Sequence, residues 1–68
     1  MRSLSGKELG AILERHGWIL KRVHGSHHIF ARAGSQVRIS LPVHGNKPLK
    51  TGLLAYILKA AGLREDDI

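Results

Sequence analysis

Trp18-Ile19-Leu20-Lys21-Arg22-Val23, His27-His28-Ile29-Phe30-Ala31-Arg32 and Gln36-Val37-Arg38-Ile39-Ser40-Leu41 are three short runs separated only by His24-Gly25-Ser26 and Ala33-Gly34-Ser35. None has helical periodicity. The third alternates strictly between polar and apolar residues, the pattern of a strand with one wet face. The gaps are of hairpin length, and three strands this close together predict an antiparallel meander. Trp18 and Phe30 are either stacking platforms for bases or core residues, and the scarcity of aromatics favours the core for both.

Helices are predicted on either side. Ser5 followed by Glu8 is a capping box, and Leu9, Ile12 and Leu13 form an apolar stripe over about residues 6–16, stopped at Gly17. On the other side, Pro42 ends the third strand and Val43-His44-Gly45-Asn46-Lys47-Pro48 is a loop rich in breakers. Leu54, Ile57, Leu58 and Ala61 then repeat at helical spacing, with Thr51 as the expected cap and Gly62 at the end. The tail from Leu63 to Ile68 is expected to be short and partly frayed. The fold class is therefore α+β in the order α-β-β-β-α. A three-stranded antiparallel sheet carries both helices on one face and leaves the other bare.

Sixty-eight residues form a single domain, 1–68, near the lower limit for a self-sufficient core. With no Cys there is neither a disulfide framework nor a thiolate metal site. No apolar run spans a bilayer and the polar start does not read as a signal peptide, so the expected compartment is the cytosol. The net charge is +6, and it is unevenly placed. No Asp or Glu occurs from Arg15 through Arg64, whereas Lys21, Arg22, Arg32, Arg38, Lys47, Lys50 and Lys59 intervene. Such a surface repels itself, and a polyanion or an acidic protein would relieve the cost.

The densest reactive cluster is His24-Gly25-Ser26-His27-His28. As a metal site it is poor: adjacent strand residues face opposite ways and carboxylates are scarce, so no metal or other cofactor is expected. As an acid–base site it suits RNA cleavage, in which a base takes the 2′-hydroxyl proton and nearby cations stabilise the phosphorane-like transition state. Ser26 can donate to a phosphate, with Lys21 and Arg22 beside it. Lys47 and Lys50 precede the second helix, whose N-terminus attracts phosphate. Water, His28 and His24 are the candidate proton donors to the leaving 5′-oxygen. The bland reading is a His-rich chain with surface histidines in a hairpin and a solvated basic loop.

Ser5-Gly6-Lys7-Glu8, Gly17-Trp18, Gly25-Ser26-His27-His28-Ile29-Phe30, Pro42-Val43-His44-Gly45-Asn46-Lys47 and Leu58-Lys59-Ala60-Ala61-Gly62, in this order and spacing, resemble the HicA toxins. The resemblance runs from about Ser5 to Leu63. It implies a ribosome-independent mRNA interferase of a type II toxin–antitoxin module with a double-stranded-RNA-binding-domain-like fold. It also implies neutralisation by an acidic HicB antitoxin and no metal requirement. The family's active histidine maps onto His27, with His28 its neighbour. A cleavable strand must present its 2′-hydroxyl in line, which an A-form duplex resists, so single-stranded mRNA is the expected substrate. Two rivals from other classes are a non-catalytic basic RNA-binding module and a pure protein-interaction domain.

Overall fold

The computed structural model describes the whole chain, Met1–Ile68, in the order α1 (Gly6–Arg15), β1 (Ile19–His24), β2 (His27–Ala31), β3 (Arg38–Pro42) and α2 (Thr51–Ala61), followed by a 3-10 turn over Glu65–Asp67. The capping box forms as expected. Glu8 donates its N–H to Ser5 Oγ at 3.1 Å, and Ser5 donates its own N–H to Glu8 Oε1 at 2.9 Å. Leu4, just before the cap, and Leu9 in the second turn are both fully buried, which fixes the angle at which the chain enters α1.

The sheet is antiparallel in the order β1-β2-β3. Phe30 on β2 pairs with Ile39 on β3, and His28 with Leu41. Phe30, Ile39 and Leu41 are buried in one cluster with Leu9, Ile12 and Leu13 of α1 and Leu54, Ile57 and Leu58 of α2. Both helices therefore lie on one face of the sheet. Trp18 is 1% exposed at the edge of this core, with the Arg32 guanidinium 4.5 Å from its ring centroid. Its indole N–H has no partner, a local cost of about 1–3 kcal/mol set against a large apolar burial.

Four sequence expectations are corrected. The first strand begins at Ile19 rather than Trp18, because the Trp18 N–H bonds to the Leu13 carbonyl and the ring turns inward. The β2–β3 connection is a loop from Arg32 to Val37, not a tight turn at Ala33–Ser35, and β3 starts at Arg38. The Val37 N–H is taken by Ser35 Oγ at 3.1 Å, so it is withdrawn from the ladder. The cap position of α2 is Lys50 rather than Thr51, and no side chain caps it. The tail is not frayed: Arg64 N–H bonds Asp67 Oδ2 at 2.8 Å, and Leu63 and Ile68 pack on the core.

Gly6 holds α1 against the end of β3. A Cβ at this position would overlap the Pro42 carbonyl oxygen, so only glycine allows the approach. Every residue of β1 is exposed, including Ile19, Leu20 and Val23, because β1 is an edge strand that the two helices do not cover. No helix of the chain is long and apolar enough to cross a membrane.

Candidate functional site

Side chains alternate across a strand, so the strand pairing sorts every sheet residue onto one of two faces. With Phe30, Ile39 and Leu41 toward the helices, the bare face is built from three rows. The first is His24, His27 and Pro42; the second is Arg22, Ile29 and Ser40; the third is Ile19, Ala31 and Arg38. A bulge between Leu20 and Arg22 leaves Lys21 as the extra residue of β1 and turns Arg22 onto this face.

His27 sits in the middle strand of the first row and is exposed. Its Nδ1 lies 3.2 Å from Ser40 Oγ, one row away on β3, and its Nε2 makes no hydrogen bond with the protein. His24 is its direct cross-strand partner on the same face. Opposed residues of this kind hold their Cβ atoms about 4.5–5.5 Å apart. The turn joining them is only Gly25-Ser26, with Gly25 at φ 61°, a left-handed conformation that suits glycine. The Ser26 carbonyl accepts the Val43 N–H at 2.7 Å, which ties this turn to the loop after β3.

The remaining sequence candidates divide. His28 points away from the bare face into a half-buried groove beside Gly6, Lys7 and Gly10 of α1, on the opposite side of the sheet from His27. Lys47 and Lys50 meet in a recess with His44, Pro48 and Leu53, next to the uncapped start of α2. Pro42 borders both this recess and the first row, so the two are continuous. Lys21 and Arg38 line a second recess with Ile19 and Ala31 at the far end of the face.

No carboxylate neutralises any of these cations. The two ion pairs of the chain are at its termini, Met1 with Glu65 and Arg64 with Asp66, at 3.8 and 3.9 Å. Nor do three His, Asp or Glu side chains gather anywhere as a metal would require. The face thus combines a histidine with one free ring nitrogen, a second histidine opposite it, a hydroxyl behind it and unpaired cations on both sides. This arrangement can hold a phosphodiester and move a proton.

Sequence reasoning missed Ser40 and Arg38. Their alternation with Ile39 and Leu41 assigned them to a wet face, but their neighbours depend on the pairing with β2.

Against known protein families, residues 6–63 match the family described as HicA toxin of bacterial toxin–antitoxin. No curated protein matches the chain.

Proposed function

The chain belongs to the HicA toxin family, toxins of toxin–antitoxin systems that are generally ribonucleases, and on that premise we propose that it is a ribosome-independent endoribonuclease cleaving single-stranded mRNA on its bare sheet face. His27 Nε2 takes the proton of a 2′-hydroxyl. The freed oxygen attacks the adjacent phosphorus, the O2′–P bond forms and the P–O5′ bond breaks. The products are a 2′,3′-cyclic phosphate and a 5′-hydroxyl end. The leaving O5′ takes its proton from His24, the cross-strand neighbour on the same face, while His28 on the opposite face has no part in the step. Arg22 and Lys21 on one side, with Ser26, Lys47 and Lys50 on the other, position the phosphates and spread the developing charge. A polyanion bound there relieves the self-repulsion of the unpaired cations.

The His27–Ser40 contact carries this reading. In the tautomer whose Nδ1–H donates to Ser40 Oγ, Nε2 is left bare to act as a base. The same bond persists after Nε2 is protonated, so the proton moves without the ring turning. A surface histidine of no function needs no such partner. The acid-free middle of the chain suits an acidic HicB-like antitoxin as the natural inhibitor, and mRNA as substrate places the toxin's action in the cytoplasm.

The test is His27→Ala. The variant should fold and bind RNA but neither cleave it nor arrest growth, and wild-type cleavage should survive chelator and leave cyclic phosphate ends. Equal cleavage by both proteins refutes the role of His27. Salt-sensitive RNA binding without products in the wild type would make the chain a non-catalytic RNA-binding module instead.

A further inference from the structure

α1 and α2 differ sharply in their solvent faces. α1 carries four charged residues, Lys7, Glu8, Glu14 and Arg15, whereas α2 carries only Lys59. Tyr56 on α2 is 70% exposed and Val37, just before β3, is 42% exposed. Between them a groove runs along β3, lined by Val37, Arg38, Ile39 and Ser40 on the strand side and by Tyr56, Ile57 and Ala60 of α2. The strand on its rim has a neighbour on one side only, so the N–H and C=O groups of its outer edge are unpaired. A free strand edge beside an apolar helix face is the geometry in which an extended peptide adds to a sheet, with backbone bonds giving affinity and pockets reading alternate side chains.

We propose that this groove takes an extended acidic segment of the antitoxin as a fourth strand beside β3, an assignment that rests on the toxin–antitoxin reading for its occupant. Charge selects this occupant. Arg38 is the one charged residue lining the groove, and no Asp or Glu lies anywhere in the sequence from Arg15 to Arg64. A second copy of the chain would bring another acid-free basic edge against Arg38. A nucleic acid has no donor–acceptor ladder to match a strand edge. The edge of β1 is a poorer template, because its bulge at Lys21 interrupts the ladder, whereas β3 keeps five successive pairs with β2. An added strand alternates its side chains as β3 does. Every second one therefore extends the rows of Ser40 and Arg38 on the bare face, where an acidic group would compete with phosphate.

The probe is a short synthetic peptide alternating glutamate and valine, titrated into the isotope-labelled full chain and followed by amide chemical shift and hydrogen exchange. Shifts should fall on Val37–Leu41 and on the Tyr56 side of α2, with new exchange protection at the outward-facing amides within Arg38–Leu41. Val37→Glu and Tyr56→Glu, both at exposed positions, should weaken binding about tenfold or more while keeping the far-UV circular dichroism of the wild type. A lysine–valine peptide should not bind. Any of several results overturns the proposal: equal binding of both peptides, perturbation centred on β1, or no shifts at millimolar peptide. So does concentration-dependent dimerisation through the same amides without peptide, or their perturbation by single-stranded RNA instead. His27→Ala should still bind the peptide and Tyr56→Glu should still cleave RNA, so this proposal and the nuclease reading can fail separately.

Discussion

Replacing Ser40 by alanine tests whether the bond behind His27 contributes to the chemistry. Ser40 Oγ lies 3.2 Å from Nδ1 on an exposed face, where water can take over part of its role. A net hydrogen bond of this kind is worth about 0.5–1.5 kcal/mol. At about 1.4 kcal/mol per tenfold in rate, that sets the expected loss in kcat at roughly 2- to 13-fold. KM should hardly move, since the bond orients the base rather than the substrate. Losing the proposed base should cost far more, about 10²–10⁴-fold for His27→Ala. The decisive measurement is the double-mutant cycle, with kcat read from a fluorogenic single-stranded RNA. If Ser40 acts only through His27, then Ser40→Ala has no further effect once His27 is alanine. Ser40→Thr, which keeps a hydroxyl, should restore most of the rate. The reasoning is refuted if Ser40→Ala slows the His27→Ala protein by the same factor as the wild type, because the hydroxyl would then be acting independently of the imidazole.

Three further outcomes follow from the packing. Gly6→Ala forces α1 away from the Pro42 carbonyl, and an overpacked contact of this kind costs about 1–3 kcal/mol. Because Pro42 borders the first row of the site, chemical denaturation and RNA cleavage should both register the change. Leu41→Ala removes a fully buried side chain at about 2–5 kcal/mol. That is comparable to the roughly 3–5 kcal/mol that so small a core supplies, so circular dichroism should find the variant largely unfolded at room temperature. The Glu8 carboxyl is held below the ordinary glutamate value, first by the Ser5 backbone N–H, then by the Ser5 hydroxyl, with a smaller pull from Arg2. Its contribution is present at neutral pH and lost as pH falls through that depressed value. The stability gap between wild type and Glu8→Gln should therefore narrow in acid, and a gap independent of pH would contradict the capping geometry.

Much of this molecule was legible in the sequence because its signals were local. Ser5 and Glu8 name the start of α1 by chemistry that needs only four residues. The alternation of Gln36–Leu41 and the stripe from Leu54 to Ala61 each announce one buried face. Placing Phe30 in the core already sends His27 outward by parity, since adjacent strand residues face opposite ways. What misled was loop length. A three-residue turn at Ala33–Ser35 would pair Arg32 with Gln36, and by the same register Phe30 with Arg38 and His28 with Ser40. That pairing sets a cation beside Phe30 on the core face. The observed register sets Ile39 there instead, and the longer Arg32–Val37 loop follows from it.

The sequence by itself thus determined the element order, the core-facing residues, the one-sided charge and the histidine that faces out, since each depends on propensity or period within a few residues. Only the tertiary structure decided which groups surround that histidine. Ser40 comes behind it and His24 beside it through strand pairing across two loops, and His28 is turned away to a groove under α1. The tertiary structure also decided that two helices do not cover all three strands. That leaves β1 bare despite Ile19, Leu20 and Val23, and sets the free edge of β3 against the apolar side of α2. These are contacts between distant segments, selected by the burial of Phe30, Ile39 and Leu41 together, and no local pattern specifies them.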